Sequence, residues 1–358
     1  QDKPLQNIAV RDRIKDTISY EKNQKKGLHH YVWNVRDVPR IFKEPRMPPL
    51  QRVAQRLLVS TAQRWEEVSK WYWSLSKPHY ETTPAIEKKV EALTEGLKDK
   101  QKKIRALFRF VSQKVRYLGI TREEAAPGYE PHDVGETFDN LAGVCRDKAA
   151  LLVAMLREAG FSAYPVLIHT NAKKDPEVPL PWFNHAILCV QHPDGSYQLM
   201  DPTDETTKRL FPAYLNDKSY LVAKPEGETL RTSPIVPAEE NLMVINTEGR
   251  VTAKGRLKAE TNLTFEGIND NAYRGYFARL SKERRRRYFE KVINEIVPGG
   301  KLTELELTPS DMQNTDQQLQ ASLEFTAENV LIQGEQAQML SLPYFGNRVG
   351  YTSFVLRG

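Results

Sequence analysis

Between residues 65 and 117 the apolar positions recur with the period of a helix. Trp65, Val68, Trp71, Tyr72 and Leu75 fall at i, i+3, i+6, i+7 and i+10, an aromatic stripe expected to face a core. A second helix is expected from near Pro84, with Ile86, Val90, Leu93 and Leu97 on one face. A third is expected over about 101–117, carrying Ile104, Leu107, Phe108, Val111 and Val115. A loop bearing Pro and Gly, 127–135, then precedes the most helical stretch of the chain, 143–160. There Cys145, Ala149, Leu152 and Leu156 share a face, and Gly160 is placed to end the helix as a left-handed cap. Strand-like segments follow at 163–169, 185–190 and 197–200.

The flanks differ. Residues 5–43 are rich in β-formers, most of all Tyr31-Val32-Trp33-Asn34-Val35, and Pro-rich 44–49 reads as a linker. Beyond about Pro234 the pattern changes to alternating β runs, such as 250–265 and 319–325, interrupted by a helical stretch over 281–296. The expected domains are therefore 1–50, the end of a β module with its linker; 51–232, an α+β core; and 233–358, a β-rich domain with one inserted helix. An opening segment this short cannot close a sandwich, and 350–358 stops in mid-strand pattern. The chain is expected to be a piece of a larger protein, the alternative being that its two ends pair with each other or dock on the core.

Composition narrows the classes. At 40% hydrophobic and 27% charged, the 358 residues match an ordinary globular protein. No apolar run approaches the roughly 18 residues of a membrane helix. Residues 1–8 lack a secretory-signal pattern, which leaves export open. The net charge of +6 is modest for this length. Its densest run, Arg284–Arg287, sits inside the helix-like stretch 281–296, in which Tyr288, Phe289, Val292 and Ile296 form a candidate apolar stripe. A solvated helix face is the plainer reading of it and a contact for nucleic acid or an anionic surface the sharper one, though no nucleic-acid motif accompanies it. Two cysteines make no disulfide framework. No zinc spacing and no Gly-rich phosphate loop is present, so neither a metal nor a cofactor is expected.

The candidate chemistry is a thiol. A free cysteine with a pKa near 8.5 is mostly protonated at neutral pH and needs help to act as a nucleophile. Cys145 falls in the first turn of its helix, where unpaired N–H groups and the dipole favour a thiolate and can serve an oxyanion hole. Gly143 permits close backbone approach, while Asp147 suits a helix start but disfavours a neighbouring thiolate. The base should be a histidine fixed by a third group. His185 opens an apolar strand, and His192-Pro193-Asp194-Gly195 has the signature of a type I turn with a G1 bulge. His192 then pairs with Ser196, and counting outward sets Asp201 opposite Ile187, diagonal to His185 on the same face. A one-residue slip would turn Asp201 to the far face. Taken singly, each residue has a plainer reading: a core cysteine, a structural histidine, an aspartate that ends a strand. In the order Cys-helix, His-strand, Asp-strand they are much more specific. Cys189 alternates onto the face of His185 and Ile187 and is expected to pack.

These segments resemble the bacterial transglutaminase-like superfamily. Gly143-Val144-Cys145-Arg146-Asp147-Lys148-Ala149-Ala150-Leu151-Leu152 and Met155-Leu156-Arg157-Glu158-Ala159-Gly160 are similar to its nucleophile helix. Trp182-Phe183-Asn184-His185 and Leu199-Met200-Asp201-Pro202-Thr203 resemble its histidine and aspartate strands. The stretch from Phe110-Val111 to Arg116-Tyr117 resembles the helix end that precedes the core, and the likeness covers about 65–225. Residues 31–49 resemble the end of a β module that often precedes this core in exported bacterial proteins. The resemblance implies a papain-like α+β fold and acyl transfer on peptide or side-chain amides through Cys145, His185 and Asp201. It also implies a protein or peptide substrate and a periplasmic or cell-surface location. The acceptor stays open between water, giving a protease or amidase, and an amine, giving a cross-linker. Water is slightly favoured because it is always present, whereas an amine needs its own groove. The alternative is a catalytically silent scaffold module in a cell-surface assembly.

Overall fold

The structure, a computed structural model, describes residues 3–11, 18–38, 40–45, 47–48, 50–119, 128–171, 173–351 and 353. It divides into two compact units, 1–203 with 215–234 and 204–214 with 235–358. The segment 204–214, expected within the core, makes its contacts with the second unit, and the opening residues belong to the first.

The first unit begins with β1 (Asn7–Arg11), β2 (Ile18–Lys25), β3 (Leu28–Val35) and β4 (Arg56–Ser60). The hairpin β2–β3 pairs within itself, but β1 pairs antiparallel with β4, which the sequence pattern did not reveal. Arg11 and Arg56 both bind the Asp175 carboxylate, at 2.8 and 2.9 Å, and Ser60 Oγ donates to the Pro179 carbonyl at 2.6 Å. The opening strand is thus docked on the core.

The helices follow: α1 (Trp65–Ser76), α2 (Pro84–Thr94), α3 (Lys100–Lys114), α4 (Val134–Asn140) and α5 (Cys145–Glu158). Thr83 and Asp99 cap α2 and α3 by accepting from the backbone N–H groups of Ile86 and Lys102. Trp71 departs from the expected stripe. It is exposed and meets Tyr129 edge-on at 5.6 Å, while Ser69 and Ser76 are buried beside Trp65, Val68 and Tyr72. Helix α4 takes the last two residues of the expected loop, Val134 and Gly135, and fills most of the stretch between that loop and α5; Pro127, where the loop was expected to begin, lies outside the described residues, as do Arg46 and Pro49 of the linker.

Helix α5 is the centre of the unit. An apolar face would bury one side, yet every residue from Asp147 to Leu156 is buried. It packs against α2, α3, α4, β5 (Ala163–Ile168) and β6 (His185–Gln191), as a helix apolar all round must. Leu151, Leu152 and Leu156 each contribute about 1.5–3 kcal/mol by leaving water. Lys148 is tolerated inside because its ammonium donates to the carbonyls of Ser112 and Val115, at 3.1 and 2.6 Å, at the end of α3. Gly160 has φ +84° and closes α5 as expected: Phe161 N–H bonds to Leu156 O and Gly160 N–H to Arg157 O, both at 2.9 Å.

With β7 (Tyr197–Met200), β8 (Ser219–Val222) and β9 (Arg231–Thr232), the core sheet runs β9-β8-β5-β6-β7, every neighbouring pair antiparallel.

The second unit is β-rich. Strands β10 (Met243–Val251), β11 (Leu257–Phe265), β12 (Lys301–Thr308) and β13 (Gln320–Ala327) form an antiparallel sheet ordered β10-β11-β13-β12. In β11 the odd-numbered residues from Leu257 to Phe265 are buried and the even ones face out, the period of a strand covered on one side. Two helices interrupt the strands rather than one, α6 (Ile268–Ala278) and α7 (Lys282–Ile296). Tyr273, Phe277, Phe289 and Ile293 from them fill the core against that sheet. The basic run is partly structural. Arg285 donates to the carbonyls of Phe277, Leu280 and Ser310, and Arg286 to Glu290 and the Leu302 carbonyl. The strand expected over 350–358 falls mostly outside the described residues; of its remainder, Tyr351 and Ser353 are helical.

Candidate active site

The histidine strand and the aspartate strand are joined by the expected turn. Gly195 has φ +82°, its N–H bonds to His192 O, and His192 N–H bonds to Ser196 O, both at 2.9 Å. The register that follows pairs Gln191 with Tyr197 and runs to Leu188 with Met200. The next step outward brings Asp201 to Ile187, diagonal to His185. The Asp201 carboxylate meets His185 Nε2 at 2.9 Å. Its other oxygen accepts from Thr203 N–H and Oγ1, at 3.0 and 2.7 Å, which holds the carboxylate in place. Asp201 is wholly buried and His185 nearly so.

Cys145 is the first residue of α5, and its thiol hydrogen-bonds to the His185 side chain. Since Nε2 is taken by Asp201, Nδ1 is the nitrogen left for the thiol. Burial pushes the Cys145 pKa up, but the His185 hydrogen bond and charge, with the backbone N–H groups of Ala186 and Arg146, outweigh it and leave the thiol below its ordinary value. Burial likewise pulls His185 down, and the Asp201 charge and hydrogen bond, helped by Cys145, reverse that and raise the imidazolium to about 10. Both shifts favour a thiolate–imidazolium pair. Cys189 is the opposite case: fully buried in mid-strand, its thiol is pushed up by burial.

Asp147, ambiguous in sequence, is turned away from the thiol. One carboxylate oxygen accepts from Val144 N–H at 2.9 Å and closes half of a capping box; the other accepts from His132 N–H at 3.0 Å and lies 3.2 Å from His132 Nδ1. Gly143 is required beside it, because a Cβ there would stand 2.8 Å from Asp147 Cβ.

Sequence reasoning missed the groups that lock these parts together. Tyr129 Oη donates to the carbonyls of Phe183 and Pro181 and accepts from Phe183 N–H at 3.0 Å. With His132 held by Asp147, the 128–133 loop clasps the segment before His185 to the start of the cysteine helix. Tyr117 arrives by a parallel pairing of Arg116–Tyr117 with Ala142–Gly143, which sets it beside Gly143, two residues from the thiol. Burial, then the charges of Cys145 and Asp201, raise its hydroxyl pKa. Only the Arg116-Tyr117 ending of the third helical stretch hinted at this neighbour.

Residues 87–202 match the family model of the Transglutaminase-like superfamily, so the chain carries a transglutaminase-like domain that includes Cys145, His185 and Asp201. Two solved structures are similar to it. One, from Parabacteroides distasonis and described as a candidate protease, is 12% identical with a TM-score of 0.49, over 96% of this chain and 66% of that one. The other, from Cytophaga hutchinsonii and described as a candidate cysteine protease, is 14% identical with a TM-score of 0.28, over 59% of this chain and 70% of that one. This chain therefore spans about two thirds of the first protein's length. No protein of curated function matches the sequence. Among the described residues, no helix is long and apolar enough to cross a membrane.

Proposed function

We propose that the chain is a thiol-dependent acyl-transfer enzyme acting on peptide or side-chain amides, with Cys145 as nucleophile, His185 as proton carrier and Asp201 as the group that orients His185. The observation that carries this is one continuous chain of contacts: a half-buried thiol at a helix N-terminus, bonded to an imidazole whose far nitrogen a buried carboxylate holds at 2.9 Å.

The Cys145 thiolate attacks the amide carbonyl carbon, forming a C–S bond and placing the negative charge on the carbonyl oxygen. The N–H groups at the start of α5 face that charge, and the Tyr117 hydroxyl is the side-chain donor assigned to it. His185 gives its proton to the amide nitrogen, and the C–N bond breaks to release an amine and leave a thioester. An acceptor then attacks the thioester, His185 takes its proton, and the C–S bond breaks to restore the thiolate. Asp201 keeps the imidazole in the tautomer and plane both transfers need. Water is the proposed acceptor and a protein or peptide the substrate. The proposed setting is periplasmic or at the cell surface, in keeping with the resemblance to exported bacterial proteins.

A thiol-reactive activity probe tests the assignment, followed by peptide and glutamine–amine substrates. Labelling of Cys145 well ahead of Cys189, with turnover lost in Cys145→Ala, is the expected result. Equal turnover in wild type and Cys145→Ala would remove the enzyme reading built on Cys145, and no turnover by either would leave a silent scaffold in its place.

A further inference from the structure

A second feature of the first unit lies at the same end of the sheet as His185. It is a cavity of about 450 Å³, within the range of small-ligand sites, and its lining is mostly apolar. Leu57, Leu58, Val178 and Leu180 supply walls, and Trp182 stands at the rim with 68% of its surface exposed. Chain geometry ties it to the catalytic strand. Trp182 precedes His185 by three residues, a reach of at most about 11 Å along the chain. On the other side of the cavity, His169 follows Ile168, the residue paired with His185, and Thr170 N–H bonds to Asn184 Oδ1 at 2.9 Å.

The charges in this lining do not balance. Arg56, Lys173 and Lys174 are cationic, and Asp175 is the carboxylate. Asp175 is already bound by both Arg11 and Arg56, and Lys173 pairs with Asp217 at 2.5 Å. Lys174 has no carboxylate partner among the described residues; its ammonium stands over the Phe183 ring, 4.8 Å from the centroid. Phe183 packs in the cluster that also touches Cys145. Burial alone lowers the Lys174 pKa to about 8, the cost of a cation held out of water without a counter-ion. A carboxylate delivered by a bound molecule would remove that cost.

We infer that this cavity is a specificity subsite that takes a short stretch of peptide substrate, apolar side chains with one glutamate-like carboxylate, and that Lys174 is its counter-ion. The stretch lies one to three residues from the amide that Cys145 attacks, given the distance from Trp182 to His185. The inference rests on the acyl-transfer reading for its role, but not for the binding itself.

Binding therefore tests it without chemistry. Acetylated, amidated hexapeptide pools of Ala and Leu, with Glu, Gln or Lys walked along the six positions, are titrated calorimetrically into Cys145→Ala protein. A charge-assisted bond in a part-buried site should make the best Glu pool bind about tenfold tighter than its Gln counterpart. That preference should vanish in the double variant with Lys174→Met, which keeps the apolar stem, and persist with Lys173→Met. No binding by any pool, equal affinity for Glu and Gln, or a preference that survives Lys174→Met would each overturn the subsite. The two readings fail separately. Wild-type protein that binds Glu pools by way of Lys174 but never turns them over sinks the enzyme and keeps the subsite. Turnover with no Glu preference sinks the subsite alone.

Discussion

Each unit of this protein buries a short ion pair, and the two are finished in opposite ways. In the second unit, Arg274 and Asp270 are almost wholly out of solvent and meet twice, Nε and Nη2 each at 2.8 Å. The remaining guanidinium protons go to the carbonyls of Met312, Asn314 and Gln317, and Asp270 also accepts from Leu319 N–H. Every donor has a chain partner, so nothing is left to react. In the first unit, Asp201 and His185 are as short a pair and Asp201 as deeply buried. That chain ends in a thiol rather than a carbonyl, and the thiol is half-buried. A buried charge pair is therefore no sign of chemistry by itself. The sign is a pair whose last partner can change its protonation state and reach a substrate.

Mutation separates the two cases. Cys145→Ala should lower acyl transfer by about 10⁶-fold, as loss of a nucleophile does, with no fall in the thermal midpoint of the first unit because little packing is removed. Steady-state rates and calorimetry on the same protein check both halves. Asp201→Asn should cost about 10⁴-fold or less, since it disturbs tautomer and orientation while the thiol stays. A loss equal to that of Cys145→Ala would mean that Asp201 does more than orient. Arg274→Met strands Asp270 as an unpaired buried carboxylate and should destabilise the second unit by about 3–5 kcal/mol in urea unfolding, with labelling of Cys145 unchanged.

The smallest effect is in pH. The Cys145 pKa lies below its ordinary value and that of His185 is raised to about 10, so the thiolate–imidazolium pair exists from the lowered cysteine pKa up to about pH 10. Iodoacetamide labelling of Cys145 should fall as pH drops through the lowered cysteine pKa, about tenfold per unit below it. Acyl transfer should also fall above about pH 10, where His185 loses the proton it must donate. Cys189, with its thiol raised by burial, should stay unlabelled across that range. A profile for Cys145 centred at or above the ordinary thiol value would remove the ion pair from the picture.

Much of the site was legible because its determinants are local. A helix start before a run of Ala and Leu, a glycine at its end and a His-Pro-Asp-Gly turn are read from neighbours within a few residues. Once the turn is known, the two-residue period of a strand carries Asp201 to the face of His185. The same logic holds for the odd-numbered buried residues of β11. It fails where propensity is weak. Helix α4 is seven residues long with Gly135 inside it, and α6 carries Asn269, Asp270 and Asn271 in its first turn, residue types that compete with the helix for hydrogen bonds. Trp71 has the period of a core residue and is exposed, because which side of a stripe is covered depends on what packs there.

The sequence by itself determined that a cysteine would begin a buried helix and that a histidine and an aspartate would share one face of a hairpin. Each is a consequence of periodicity and turn chemistry acting along the chain. Only the tertiary structure decided that the thiol meets the imidazole and that Asp147 turns its carboxylate to Val144 and His132. It alone set Tyr117 beside Gly143, closed the Tyr129 clasp and placed the Lys174 ammonium over the Phe183 ring. Those contacts join residues far apart in sequence, and they form because packing α5 against its neighbours fixes where distant backbones meet, which no local pattern encodes.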